Sequence, residues 1–192
     1  MEEKQRYFAL YIALMLLLNL LIVAAPLLEA SGHKATSTLI YKGLAPLCHQ
    51  FPSRSLCLIS PPAGAPYIAD CVQEDTKPID RYTYQDSRGI AYEFGVCSRD
   101  MPLYLMMLLA GLAYPYFRKV DNTEAPPLLF FLLAIAPLSL DGLVQYLTAY
   151  ESTNPIRIIT GAIAGIAVPF YAIPLMYYFI PIAKRAFLGS RG

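Results

Sequence analysis

The run YFALYIALMLLLNLLIVAAPLL, from Tyr7 to Leu28, decides the fold class. Only Asn19 interrupts its hydrophobicity. At a rise of about 1.5 Å per residue, a helix of this length reaches roughly 33 Å, enough to cross the hydrocarbon core of a bilayer. A secretory signal is the competing reading, because Lys4 and Arg6 precede the run and Glu29-Ala30-Ser31-Gly32 follows it. The apolar core of a signal is shorter, about 7 to 15 residues, so the run reads as a retained span.

Three further apolar runs lie downstream: Met101 to Phe117, Pro127 to Tyr150 and Ile156 to Ala183. The whole chain of 192 residues is 56% hydrophobic and only 15% charged, too apolar for an ordinary soluble domain. A net charge of +1, with no block of like charge, gives neither a nucleic-acid footprint nor a basic membrane-surface patch. Lys4 and Arg6, then Arg118 and Lys119, then Lys184, Arg185 and Arg191 mark alternate connections, whereas the loop at 151–155 holds no Lys or Arg. By the positive-inside rule both termini face the cytoplasm.

The expected architecture is therefore an all-α integral membrane protein of the cell membrane, a multi-pass four-helix transmembrane bundle. Its spans fall within 1–30, 101–118, 127–150 and 156–184. An extracytoplasmic cap occupies 31–100, a cytoplasmic loop 119–126, an external loop 151–155 and a cytoplasmic tail 185–192. The helical pairs show no internal symmetry of the kind inverted-repeat transporters carry.

The cap reads as structured. Arg81 to Gln85 and Ile90 to Phe94 flank Asp86-Ser87-Arg88-Gly89, the pattern of a small β-hairpin with a four-residue turn. Ser37 to Leu47 suits a short interfacial helix, with Leu39, Ile40, Leu44 and Leu47 near one face; Pro52 and Pro61-Pro62 then enforce irregular backbone.

Polar groups inside apolar runs need partners. Asp141 stands in the outer part of the third span, where a carboxylate costs at most about 2.5 to 3.5 kcal/mol on insertion scales. Gln145 lies one turn on and Arg157 opens the next helix, so a pairing of Asp141 with Arg157 is sterically reasonable. The trio serves either as hydrogen-bonded glue between helices three and four or as an outward-facing pocket rimmed by Glu151, Ser152 and Asn154. Gly161 and Gly165 form a weak GxxxG element, and Pro169, Pro174 and Pro181 predict a bend in the inner half of the last helix.

All four cysteines, Cys48, Cys57, Cys71 and Cys97, fall in the cap, on the side that permits disulfides. Three pairings are open, and Cys57–Cys71 with Cys48–Cys97 is favoured. The first closes a short Pro/Gly-rich loop, worth about 3 kcal/mol by chain entropy; the second ties the ends of the cap together. The alternative uses of the same groups are a catalytic dithiol or a zinc site of Cys48, His49, Cys97 and Asp100. No Cys-x-x-Cys, His-Glu-x-x-His, Ser/His/Asp order or phosphate-cradling glycine loop supports a hydrolase or phosphotransferase.

Several motifs together resemble a family of small predicted membrane proteins of archaea and bacteria, a domain of unknown function. Cys48-His49-Gln50, Pro52-Ser53-Arg54-Ser55, Cys97-Ser98-Arg99 with Tyr104, Asp141-Gly142 with Gln145, and Ser152, Asn154, Arg157, Thr160 and Gly161 match its pattern. Asp100 replaces the second cysteine of the family's Cys-x-x-Cys, and Pro102 stands where a glycine is expected. Residues 56–94 look like an insertion relative to the family and bring the extra pair Cys57 and Cys71, which supports joining those two. The resemblance also implies that Asp141, Gln145, Arg157, Arg54 and Arg99 belong to one polar cluster at the outer face.

Function is read as a binding or accessory subunit of a larger membrane assembly, with the bilayer and other membrane subunits as partners and no cofactor. The alternatives are a thiol-redox or metal-dependent enzyme using Cys48, His49 and Cys97, and a small-solute or proton transporter using Asp141.

Overall fold

The structure, a computed structural model, describes residues 3–48 and 50–188, with side chains described as far as residue 183. Helix α1 (Glu3–Ala30) carries the opening apolar run, and α2 (Lys34–Leu44) follows after a short turn. Five strands come next: β1 (Ser55–Ser60), β2 (Tyr67–Asp70), β3 (Lys77–Pro78), β4 (Thr83–Asp86) and β5 (Gly89–Cys97). Helices α3 (Asp100–Phe117), α4 (Leu128–Leu147), α5 (Asn154–Ala167) and α6 (Pro169–Leu188) complete the chain.

Among the described residues, α1 and α4 are long and apolar enough to cross a membrane, and α5 with α6 counts as a third span if taken together across a 43° bend. That bend falls just before Pro169, the residue that cannot donate a backbone hydrogen bond to the preceding turn. Helix α3 forms where the second span was expected. Its eighteen residues include Asp100, Pro102, Pro115 and three tyrosines, which dilute the hydropathy. A four-span bundle is therefore not confirmed by length and composition, and the all-α description needs correction, since the cap is built on a sheet.

The chain divides into two compact units. The first comprises Met1–Leu17, Pro102–Tyr150 and Thr160–Gly192. Its centre is aromatic: Tyr7, Tyr11, Tyr114, Ile173 and Tyr177 are buried together, with Tyr7 and Tyr177 rings 6.2 Å apart and Tyr114 and Phe170 5.5 Å apart. The Tyr11 hydroxyl donates to the Met107 carbonyl at 3.1 Å, giving its polar tip a partner in an apolar layer. Of the GxxxG pair, Gly165 makes a close approach, since a Cβ there meets the Leu103 carbonyl oxygen at 2.4 Å. No residue of α4 is buried; it touches α6 through Phe131 and Tyr171, 4.8 Å between ring centres.

The second unit comprises Leu18–Met101 and Glu151–Ile159. Its antiparallel sheet runs in the order β2-β1-β5-β4-β3, with Pro78 on the short edge strand where a missing N–H does no harm. The expected hairpin is β4 and β5, but its turn is tighter than predicted: Asp86 pairs with Gly89 across Ser87-Arg88. Gly89 has φ +128°, and a Cβ there meets the Ser60 carbonyl oxygen at 2.3 Å, so glycine is required twice over. Arg88 locks the turn, donating to Asp86 from its backbone and guanidinium and to the Asp70 carbonyl at 2.9 Å. Helix α2 starts three residues earlier than predicted and buries Ser37, Tyr41 and Leu44.

Candidate functional site

The sheet separates the cysteines into two kinds. Cys57, on β1, and Cys71, just beyond β2, are joined in a disulfide, fully buried among Ile59, Tyr84 and Ala91. Cys48 and Cys97, expected as a second disulfide, are free thiols in the structure. Antiparallel pairing of β1 with β5 puts Ser55 opposite Cys97, at the end of the sheet where the chain turns into α3.

Around those two thiols the local geometry is specific. The Cys97 N–H donates to the Cys48 sulfur at 3.2 Å, and the Cys97 thiol lies 3.1 Å from Asp100 Oδ2. Ligand atoms of Cys48, Cys97 and Asp100 all fall within 4.8 Å of one another. Asp100 is the first residue of α3, where a helix N-terminus favours a carboxylate. The hydrogen bond from the Cys97 thiol, helped by the Gln50 and Cys97 N–H groups, lowers the Cys48 pKa against the opposing effect of burial. The same hydrogen bond, with burial and the Asp100 charge, raises that of Cys97. His49, the remaining member of the predicted zinc set, lies outside the described residues.

Gln50 holds this segment in place. It has φ +53°, a left-handed conformation unusual for a side chain of its size. Its amide Nε2 donates to the Tyr41 carbonyl at 2.8 Å and to the Gly95 carbonyl at 3.1 Å, binding the loop to both α2 and β5. Tyr41 in turn donates through its hydroxyl to the Glu93 carbonyl at 2.5 Å and stacks on Tyr82 at 3.9 Å.

A buried polar network adjoins the thiol site through Ser98. The Ser98 hydroxyl donates to Asn154 Oδ1 at 2.6 Å; Asn154 Nδ2 donates to Asp70 Oδ1 at 2.8 Å; Arg157 Nη1 donates to the same Asn154 oxygen at 3.2 Å. Ser98, Asn154 and Arg157 are buried. Arg54 and Arg99 are half-buried in the same unit, Arg54 lying over the Phe51 ring at 5.7 Å and giving its carbonyl to the Ser98 N–H at 2.8 Å. Asp141 and Gln145, predicted to join these arginines, sit half-buried on α4 in the first unit.

Sequence reasoning missed two groups. Asp70 reaches Asn154 from 84 positions away along an unpredicted strand. Glu93 is fully buried within β5: the Tyr84 hydroxyl donates to its Oε2 at 2.9 Å, and its Oε1 has no hydrogen-bond partner among the described residues. Burial pushes its carboxyl up to about 7, against the downward pull of Ser55, Tyr84 and Arg81. The predicted alternation of Arg81–Gln85 and Ile90–Phe94 held the signal, because it set Glu93 on an inward-facing strand.

A family of unknown function described as "Predicted membrane protein" matches residues 89–171, which include Cys97, Asp100, Asp141, Gln145, Asn154 and Arg157. An uncharacterized protein of Methanocaldococcus jannaschii is 25% identical over 181 residues, covering 92% of this chain and 96% of the relative. No solved structure matches. Both matches are to uncharacterised proteins, and together they support a likeness to a family of predicted membrane proteins.

Proposed function

We propose that the chain is a four-crossing membrane protein with both termini in the cytoplasm and the sheet unit outside, and that it works as a binding subunit through the Cys48–Cys97 thiol pair. The observation that carries this reading is the contrast between two cysteine pairs in one unit: Cys57 and Cys71 are closed and buried, while Cys48 and Cys97 stand side by side, open and half-buried. A domain that meets oxidising conditions and keeps two adjacent thiols open has reserved them for chemistry or for a ligand. The positive charges on alternate connections support the proposed orientation. Helix α3 supports a fourth crossing, since eighteen residues reach about 27 Å. The apolar surface of α4, with no residue buried within the chain, suits contact with lipid or with helices of another subunit.

The test is alkylation on sealed cells followed by intact mass. An impermeant maleimide, applied after a chelator, is expected to label Cys48 and Cys97 from outside, and Cys57 and Cys71 only after reduction. Labelling from the cytoplasmic side alone inverts the orientation. Four oxidised cysteines before reduction make the whole unit a structural cap and end the thiol reading.

A further inference from the structure

We propose that Cys48 Sγ, Cys97 Sγ and a carboxylate oxygen of Asp100 are three ligands of one divalent metal ion of the zinc class. The inference rests on the reading of the thiol pair as the working site and names its occupant. A tetrahedral zinc ion with bonds of about 2.3 Å to sulfur and about 2.0 to 2.2 Å to oxygen sets its ligand atoms roughly 3.3 to 3.8 Å apart. The three atoms here already lie within 4.8 Å of one another, so an ion draws them inward by an ångström or so without moving an element.

The three ligands arrive from three supports. Cys48 follows α2, Cys97 ends β5, and Asp100 opens α3. Cys97 and Asp100 are three residues apart across the strand-to-helix junction, a spacing that lets two side chains close on one point, as in the Cys-x-x-Cys arm of structural zinc sites. The junction itself is fixed: the Ser98 N–H donates to the Arg54 carbonyl at 2.8 Å, and the Ser98 side chain is held by Asn154. The Cys97 N–H already points at the Cys48 sulfur, the outer-sphere hydrogen bond that orients a metal thiolate. Two sulfurs and one carboxylate select a borderline-soft ion over calcium or magnesium, which take oxygen ligands. Water completes four-coordination.

The experiment uses the full chain in detergent, stripped with chelator and titrated with Zn²⁺ and with Co²⁺ as a spectroscopic probe. The wild-type chain is expected to take up one equivalent of either ion, with the thiolate-to-cobalt charge-transfer band and the strong visible bands of a tetrahedral site. Cys48→Ser is expected to weaken binding by tenfold or more and to roughly halve the charge-transfer band, and the double change Cys48→Ser with Cys97→Ser to remove it. Asp100→Asn is expected to weaken binding by tenfold or more, and Asp100→Cys to restore it with a stronger charge-transfer band. Intact Cys57–Cys71, counted by alkylation mass in every variant, reports that the unit has folded. Free, alkylatable Cys48 and Cys97 that bind no metal overturn this proposal and leave the thiol reading standing. Metal uptake of undiminished affinity in Cys48→Ser also overturns it. A Cys48–Cys97 disulfide in the isolated protein overturns both.

Discussion

The two cysteine pairs of the sheet unit differ in what surrounds them more than in how far apart they lie in the chain. Cys57 and Cys71 sit 14 residues apart, on β1 and just beyond the neighbouring β2, sealed in a cluster with Ile59, Tyr84 and Ala91. Cys48 and Cys97 sit 49 residues apart, held by backbone N–H groups, a carboxylate and a left-handed glutamine. The closed pair packs in a sealed cluster whose polar members, Tyr84 and the cross-strand neighbour Glu93, bond to each other; the open pair meets backbone N–H groups and the Asp100 carboxylate directly. Closure thus follows the environment: an apolar setting buries a covalent link at no electrostatic cost, while a polar one keeps the sulfurs available.

The comparison is broken most forcefully at the closed pair. Replacing Cys57 and Cys71 by serine removes a disulfide and places two hydroxyls in an apolar cluster, so we expect a loss of roughly 2 to 5 kcal/mol in unfolding free energy. Denaturation of the detergent-solubilised chain, followed by the near-ultraviolet signal of its 15 tyrosines in the absence of tryptophan, measures it. Cys48→Ser, by contrast, is expected to stay within about 1 kcal/mol in metal-free protein. Equal losses from the two changes remove the distinction between the pairs.

A second test lies on the strand opposite the disulfide. Glu93 pairs across the sheet with Cys57, and burial raises its carboxyl from the ordinary 4.5 to about 7. The folded state therefore holds a proton that the unfolded state releases. Stability from this group is fully present below about pH 4.5 and is lost as pH rises through about 7, a change on the order of 3 kcal/mol. The groups facing it are the Tyr84 hydroxyl of β4, Ser55 of β1, Arg81 before β4 and Tyr41 of α2. Glu93→Gln keeps the shape and is expected to flatten the pH dependence in this window. An unchanged slope in the variant assigns the titration elsewhere.

The helices were legible because lipid imposes a length and a hydropathy that a single sequence displays directly; α1 and α4 appear within a few residues of the predicted bounds. The sheet was half legible. β1 (SLCLIS) is apolar on both faces, with Ser55, Cys57 and Ile59 buried and Leu56 and Leu58 half-buried, so the period of two that betrays a strand is masked. β2 and β3 are short edges beside Pro61-Pro62 and Pro78, which read as irregular backbone. The open thiol site combined both situations. Its residues were singled out from the motifs, but their mutual distance depends on pairing β1 with β5, a long-range register that no local pattern encodes.

The same dependence on register gives the third test. Asn154 gathers Ser98, Asp70 and Arg157 on one amide, joining the end of β5, the end of β2 and the start of α5. Asn154→Ala leaves the buried Ser98 hydroxyl without that acceptor, and a loss of about 1 to 3 kcal/mol is expected. Cys97 alkylation should accelerate with it, because Ser98 fixes the strand end that carries Cys97. A stability loss with unaltered Cys97 reactivity separates the network from the thiol site.

The smallest expected effect sharpens the comparison most. Gln50 accepts a positive φ to send its amide to the Tyr41 and Gly95 carbonyls while its N–H supports the Cys48 sulfur. Gln50→Ala keeps the unfavourable backbone conformation and loses both side-chain hydrogen bonds, at about 1 to 2 kcal/mol. Gln50→Gly loses the same bonds but adopts that φ freely, so part of the loss, about 0.5 to 1 kcal/mol, returns. If Gln50 places the thiol, both variants alter the alkylation rate and pH profile of Cys48 in chelator-treated protein while Cys57–Cys71 stays closed. If stability falls and the Cys48 profile does not move, the amide joins α2 to β5 and the open pair owes its geometry to the Cys97 N–H and Asp100 alone.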